Sequence, residues 1–425
     1  MHGSAAGAPS AGPGTGAAEP VGVDAVAPPQ AAEDPDGWAA GLQHLLRGRL
    51  ERSGVGALLP LPGGPDDERL RVAAQTSTRP AALLLPTSGS TGDPRLVEVG
   101  AAALLASARG SDEHLGGRAH WLLALPLGHV AGWNVLARGV VAGTPVTALP
   151  PGRPFAASAL AAGLARLLER AGDGPARTAL VPTQLARALD DEDARGALAR
   201  LDAVLLGGAA ASPSLLRRAR EAGVRVVTTY GATETCGGCV YDGVPLPGVG
   251  VRLDGDRVLL GGPVVALGLA GGPGPQVDDD GVAWVRTDDA GRWEDDTSAP
   301  GGRRLRVLGR LDDVVVTGGE KVAPAAVEAV LAAVDGVGEV LVVGVPDERW
   351  GQAVTALVVP AASGAPSLEA LRSAARGALG RASAPQHLVV VDALPARALG
   401  KPDRRAAAAL AARRLPAAPC SSPDV

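Results

Sequence analysis

Short apolar runs alternate with segments of helical period through most of the chain. The runs at 121–125, 178–181, 203–206 and 224–228 are four or five residues long, mostly Val, Leu, Ala and Thr. They are too short for helices and apolar on both sides, which predicts buried strands. Between and beside them, 133–141, 157–169, 185–189 and 213–221 carry helical spacing. Strands alternating with helices in this way predict an α/β fold, a parallel sheet covered by helices on both faces. Upstream, Trp38, Leu42, Leu45, Leu46 and Leu50 fall on one helical face, predicting a first helix over 38–52, whereas residues 1–37 are Ala, Gly, Pro and scattered acids with little to bury. That composition predicts a disordered arm.

After 249 the pattern changes. Short runs broken by Gly, Pro and Asp to about 293 predict a β-rich subdomain. From 313 a new unit begins, with Pro324 in the first turn of a helix to 334, strands at 340–345 and 353–359, Ser367 capping a helix to 379, and a strand at 387–391. The chain is therefore divided into an arm (1–37), a large N-terminal domain (38–311), a small C-terminal α+β domain on a hinge (312–416) and a tail (417–425). No internal repeat is visible.

At 425 residues and 46% hydrophobic, the chain can build more than one core. One Phe and two Tyr mean that any pocket for a ring is lined by aliphatic groups, glycine and backbone. A net charge of -5 with both signs interspersed predicts neither a nucleic-acid nor a membrane partner. Cys236, Cys239 and Cys420 are too few for a disulfide framework, and no charged segment followed by an apolar run opens the chain, so it reads as cytoplasmic. Cys236 and Cys239 form a CxxC, a spacing used in redox and zinc sites. With no second pair and no nearby His, two small buried residues beside glycines is the favoured reading.

The stretch LLLPTSGSTGDPR at 83–95 runs from apolar residues into a loop of Gly, Ser and Thr. Gly89 and Gly92 let backbone N–H groups approach a polyanion, Thr87, Ser88, Ser90 and Thr91 add hydroxyls, and Arg95 adds a charge. The spacing fits neither a Walker loop nor a dinucleotide fingerprint. By itself the stretch is equally a solvated turn between strands.

Four further motifs change that balance: TYGATE at 229–234, RTDD at 286–289, GRLDDVVVTGGEKVAP at 309–324 and LPARALGKPDRR at 394–405. In this order, after TSGSTGDPR, they resemble the motifs of the adenylate-forming superfamily of acyl-CoA synthetases, peptide-synthetase adenylation domains and luciferase. The resemblance implies ATP, Mg2+ and coenzyme A as substrates and cofactors, with no prosthetic group, and two half-reactions at one site. In the first, a carboxylate attacks the α-phosphorus of ATP and pyrophosphate leaves; in the second, a thiol displaces AMP. It implies that residues 87–95 hold the terminal phosphates, that Glu234 binds Mg2+ with Thr233 on the α-phosphate, and that Tyr230 packs on adenine beside Gly207, Gly208 and Gly231. Asp289 accepts from the ribose hydroxyls, helped by Arg310. Lys401 bridges the attacking carboxylate and phosphate, and rotation about Asp312 exchanges it for the loop of Gly318, Gly319 and Lys321. Taken singly, Asp289 reads as a turn residue, Asp312 as a linker aspartate and Lys401 as a surface cation.

Two departures stand out: Arg95 where Lys is usual, and Asp288 where Gly is common. Neither removes a required charge. The segment LPLGHVAGWNV at 125–135 lacks the Asp with which amino-acid-activating members hold an α-amine. With ARGVVAGTP, ALVPTQL and GGCVYDGVPLPGV it resembles the o-succinylbenzoate:CoA ligases of menaquinone biosynthesis. That resemblance implies o-succinylbenzoate as the acid, with His129 and Arg138 as candidates for its ring carboxylate and Cys236, Gly237 and Gly238 as a close wall. Another aryl- or acyl-CoA ligase, an enzyme loading a carrier protein, and a non-catalytic nucleotide-binding protein are the alternatives. A homodimer is left open.

Overall fold

The structure, a computed structural model, describes residues 22–27, 34–51, 56–61, 66–88, 94–361, 363–395 and 402–415. At its centre is a seven-stranded sheet in the order Val244–Pro245, Gly237–Tyr241, Val226–Ala232, Ala203–Leu206, Ala176–Leu180, His120–Leu123, Thr147–Ala148. The last five run parallel, and the Gly237–Tyr241 and Val244–Pro245 strands turn back antiparallel at one edge. The apolar runs of the sequence are these parallel strands, and the helices Val130–Ala142, Ala157–Ala171, Pro182–Asp190 and Pro213–Glu221 accompany them as the spacing predicts.

The helix Ala101–His114 is invisible to apolar spacing. It is built of Ala, Ser and Gly around Leu104 and buries Ser107, Gly110, Ser111 and Asp112 beside Ala103, Leu104 and Ala108, so its buried face is not marked by apolar residues.

A second sheet, ordered Val23–Val26, Ala57–Pro60, Ala81–Ser88, Pro94–Gly100, Gly268–Leu269, carries the Gly-rich stretch. Ala81–Ser88 and Pro94–Gly100 are antiparallel neighbours, with Thr87 opposite Arg95, so the candidate phosphate loop joins two strands of this sheet. The prediction of a disordered arm over 1–37 is corrected for residues 22–27 and 34–37; the rest of that arm lies outside the described residues. Val23–Val26 pairs in parallel with Ala57–Pro60, Asp24 forms an ion pair with Arg49, and the first helix, Pro35–Glu51, begins ahead of Trp38. The Ala57 N–H donates to Gly22 O at 2.7 Å and that of Leu61 to Val26 O at 2.8 Å, so the strand satisfies its backbone although it buries little.

Gly250–Asp254, Arg257–Gly261, Ala283–Asp295 and Arg303–Arg310 form the antiparallel β-rich subdomain. Beyond it, a five-stranded sheet with helices Pro324–Leu331, Leu368–Leu379 and Arg404–Arg414 has its own apolar clusters, one around Val327, Leu331, Val342 and Val354, the other around Leu341, Leu357, Val389 and Ala407. The Ser367 hydroxyl caps its helix by accepting from Ala370 N at 3.1 Å.

Candidate active site

The Val226–Ala232 strand, last of the parallel run, organises one corner. It leaves the interior between glycines that cannot be replaced without collision. A Cβ on Gly207 would lie 2.3 Å from Thr229 Oγ1, and one on Gly231 2.0 Å from Gly237 O. Gly208 holds φ +81, open to glycine and few others.

Tyr230 lies within this strand and donates its hydroxyl to Asp289 at 2.8 Å. Asp289 stands opposite Arg310 in the pairing of Ala283–Asp295 with Arg303–Arg310. Burial raises Asp289 above the usual carboxylate value, while the Tyr230 hydrogen bond and Arg310 pull it back. The Tyr230 hydroxyl is pushed up by its own burial and by Asp289 beside it, so it stays protonated and remains a donor.

Arg310 makes a two-pronged bond to Asp312, 2.7 Å through Nε and 2.8 Å through Nη2, and lies 3.5 Å from Asp288. That bond holds the Asp312 carboxyl below its ordinary value. Asp312 is exposed just after the Arg303–Arg310 strand, ahead of the first strand of the small domain, Val315–Thr317.

The sequence reading missed two organisers of this corner. Arg257 donates to Asp288 Oδ1 at 2.8 Å and to the Thr287 carbonyl at 2.5 Å. The Thr287 hydroxyl ties the strand down by donating to Val258 O at 2.7 Å. Thr287 stood in the RTDD motif; nothing in the sequence signalled Arg257.

On the phosphate side, Thr87 Oγ1 donates to the Arg95 carbonyl at 3.3 Å and Arg95 is exposed. Gly89, Ser90, Thr91 and Gly92, the Ser88 side chain, and Lys401 lie outside the described residues. Glu234 sits in the short turn Thr233–Thr235, which packs against the Pro94–Gly100 strand. The two are linked through consecutive amides: Ala266 N donates to Glu234 O and Leu267 N to Glu98 O, each at 2.8 Å. Thus Thr233 and Glu234 lie alongside the hairpin that carries the Gly-rich loop. Among the described residues no donor pairs with the Glu234 side chain, and no group of three metal-ligating residues occurs. One free carboxylate suits a hard cation that takes its other ligands from phosphate oxygens and water.

On the third side, the segment Cys236–Gly238 follows a left-handed turn, φ 51 at Cys236 and φ +87 at Gly237. Asn134 and Ser107 both donate to the Cys236 carbonyl from neighbouring helices. Cys236 and Cys239 are fully buried free thiols whose pKa values burial raises, that of Cys239 to about 12. This is the small-residue packing favoured above redox or zinc chemistry. His129 occupies the cap position of the Val130–Ala142 helix, and Arg138 lies farther along it, 3% exposed, donating to the Tyr241 hydroxyl at 3.0 Å. Arg138 Nε has no partner among the described residues.

Gly318 and Gly319, at φ +57 and +84, form the two-residue turn of the Val315–Thr317/Glu320–Val322 hairpin, with Lys321 exposed beside it. This is the tip of a small-domain hairpin, distinct from the Tyr230–Asp289 corner.

Residues 26–267 match the family described as AMP-binding enzyme, and residues 326–401 match the AMP-binding enzyme C-terminal domain. A Mycobacterium tuberculosis protein named "Probable 2-succinylbenzoate--CoA ligase" is 44% identical over 341 residues, 79% of this chain and 86% of that protein. The 2-succinylbenzoate--CoA ligase of Escherichia coli is 34% identical over 303 residues, 68% of this chain and 61% of that protein. Among solved structures, E. coli MenE with a bound m-phenylether-linked analogue of OSB-AMS superposes with TM-score 0.61 at 28% identity, covering 88% of this chain and 80% of that one. The Bacillus subtilis o-succinylbenzoate CoA synthetase in complex with the acyl-adenylate OSB-AMP gives 0.63 at 26% identity, covering 85% and 80%.

Proposed function

This chain belongs to the AMP-binding enzyme family, and from that premise we propose that it is the ATP-dependent ligase that joins o-succinylbenzoate to coenzyme A, a step of menaquinone biosynthesis. The observation that carries the mechanism is the convergence of the Tyr230–Asp289–Arg310 corner with Glu234 beside the Thr87–Arg95 hairpin. Acceptors suited to a ribose beside groups suited to phosphates support this reading.

The substrate carboxylate attacks the α-phosphorus of ATP, the bond to the β-phosphate oxygen breaks, and pyrophosphate leaves. The acid is already ionised, so no general base is required; positioning and charge neutralisation lower the barrier. Tyr230 would flank adenine, the glycines at 207, 208 and 231 would let it approach the backbone, and Asp289 would accept from the ribose. Residues 87–95 and Thr233 would hold phosphate oxygens and Lys401 the attacking oxygen. Mg2+ held by Glu234 would neutralise phosphate charge. Rotation about Asp312 would then bring Gly318, Gly319 and Lys321 to the site, where the CoA thiol attacks the acyl carbon, loses its proton and expels AMP.

For the acid, the Cys236–Gly238 wall suits a ring that has few aromatic partners to stack on. Arg138, buried with an Nε that has no partner among the described residues, and His129 suit a second carboxylate, an arrangement that a fatty or simple aryl acid would leave unused. Among the described residues no helix is long and apolar enough to cross a membrane. A cytoplasmic location and a homodimer belong to the same proposal, and light scattering reads the latter.

The test is thioester formation from ATP, Mg2+ and CoA with o-succinylbenzoate, with benzoylpropionate, which lacks the ring carboxylate, and with a panel of aryl and fatty acids. Strong preference for the dicarboxylate is expected; activity only with other acids overturns the substrate and leaves the family. In the Lys401→Ala variant adenylation is lost while thioester formation from supplied acyl-adenylate is largely spared. Equal loss of both steps overturns the exchange of Lys401 for the Gly318 loop.

A further inference from the structure

One guanidinium in the small domain joins the residue after the hinge to the helix that follows Lys401. Arg404 opens the last helix, Arg404–Arg414. Its Nε donates to Asp313 Oδ2 at 2.9 Å, its Nη1 to Glu328 Oε1 at 2.5 Å and to Val342 O at 2.7 Å, and its Nη2 to Glu328 Oε2 at 3.0 Å. Glu328 Oε1 also accepts from Val342 N at 2.7 Å. The side chains of Arg404, Glu328 and Asp313 are only 21%, 19% and 27% exposed, so water screens these bonds little.

A planar fork of this kind fixes position as well as charge. Here it ties together Asp313, the helix Pro324–Leu331, the strand Val337–Asp347 and the last helix. Apolar packing holds that last helix weakly, because the side chains it fully buries are Ala407 and Ala411. Its far end is held by Arg414, which donates to Val390 O at 2.7 Å. At its near end Asp403 caps it by accepting from Ala406 N at 3.0 Å, and the Asp403 N–H donates to Pro395 O at 2.9 Å. Residues 396–401 thus run between two fixed points, Pro395 and the Arg404 fork.

The other tool of the small domain needs no such tie. The Val315–Thr317 strand follows Asp313 almost at once and pairs with Glu320–Val322 and with the Gly351–Pro360 strand, so the Gly318–Gly319 turn follows the hinge through the backbone. Lys401 lies at the opposite end of the domain's sequence and follows the hinge through packing, and the Arg404–Asp313 bond makes that link directly.

We infer that Arg404 is a positioning residue for the adenylation step, carrying the orientation set at the hinge through Asp313 to the helix and segment that deliver Lys401. The inference rests on the roles proposed above for Lys401 and Asp312. Arg404 acts through Lys401 and takes no part in the chemistry itself.

The experiment reads the two half-reactions separately in the full-length protein. Pyrophosphate exchange with ATP and o-succinylbenzoate reports adenylation; CoA added to supplied o-succinylbenzoyl-adenylate reports thioester formation. Arg404→Lys keeps the charge and loses the fork. It is expected to lower kcat for exchange by about 10- to 100-fold, with KM for ATP within about 2-fold and thioester formation within about 3-fold. Asp313→Asn leaves the Glu328 pair intact and weakens only the arm to the hinge, so a loss of about 3- to 10-fold with the same split is expected. Placed on Lys401→Ala, neither change is expected to lower the residual exchange further.

Equal loss of both half-reactions, added loss on the Lys401→Ala background, or unimpaired exchange assigns Arg404 to the scaffold of the small domain and overturns the inference. If Arg404→Lys does not fold, the split in Asp313→Asn decides by the same criteria. A parent enzyme without exchange on o-succinylbenzoate fails the substrate reading instead, and a Lys401→Ala variant that loses both steps equally fails the reading of Lys401. Both are seen before Arg404 is changed.

Discussion

The Tyr230 hydroxyl donates to the Asp289 carboxylate across 2.8 Å and so joins the last parallel strand of the central sheet to the long strand of the β-rich subdomain. The corner proposed for the nucleotide therefore exists only when both sheets are folded and packed.

Tyr230→Phe removes that donor and leaves a half-buried carboxylate less satisfied. A hydrogen bond to a charged group is worth about 1.5–3 kcal/mol. Denaturant melts are expected to show a loss in that range, and KM for ATP to rise by about 10-fold or more. Unchanged ATP kinetics would remove Tyr230 from the nucleotide corner.

Asp289→Asn separates binding from stability. Because burial raises its pKa, the folded protein holds this proton more tightly than the unfolded chain does, so ionised Asp289 costs stability at neutral pH, and that cost is relieved as pH falls through the folded value. The neutral amide still accepts from Tyr230. Its Tm at pH 7 is expected to equal or exceed that of the parent, while ATP affinity drops. In the parent, KM for ATP rises on acidification at a pH above the ordinary aspartate range, and in the variant this limb flattens. A destabilised variant with an unchanged limb contradicts the assignment.

Gly231→Ala puts a Cβ 2.0 Å from the Gly237 carbonyl oxygen and 2.9 Å from Gly238 Cα, main-chain atoms that no side-chain rotation can move aside. Overpacking of this kind costs about 1–3 kcal/mol or more, and pyrophosphate release is expected to fall with it. Gly196→Ala, in the helix Glu192–Leu198 with nothing near the added carbon, serves as the contrast. There, about 0.5–1 kcal/mol of added stability is expected, with activity unchanged. Similar melting shifts for the two would refute the steric argument.

Glu98 is fully buried in the Pro94–Gly100 strand, accepts from the Ser77 hydroxyl at 2.7 Å and pairs with Arg79, which also donates to Leu269 O at 3.0 Å and Gly272 O at 2.8 Å. Glu98→Gln leaves a cation partly buried without its counter-charge, at a cost of about 3–5 kcal/mol. Weaker ATP binding should accompany the lower melting point, since the same strand begins at the candidate phosphate loop. Recovery of stability in Glu98→Gln/Arg79→Met would confirm that the unpaired charge is the cause.

The sequence by itself determined the alternation of parallel strands and helices, because strands buried on both faces must be apolar throughout. The runs at 203–206 and 213–221 coincide with the observed strand and helix, Ala203–Leu206 and Pro213–Glu221. It also determined the motifs, because positions such as Gly231 and the Gly318–Gly319 turn tolerate few residues, and a short string of such positions is recognisable. What it could not carry was pairing between distant segments. The strand Val23–Val26 sits in a stretch that looks unable to bury anything, and holds its place by backbone bonds to residues past the first helix. The helix Ala101–His114 buries Ser107, Ser111 and Asp112 along with its few apolar residues, so polar and apolar positions do not separate into the two faces from which a helix is read. Arg257 and Asp112 are ordinary charges in the sequence. Only the packed sheets bring Arg257 against Asp288 and bury Asp112 beside two arginines, since burial and charge pairing are properties of the closed structure.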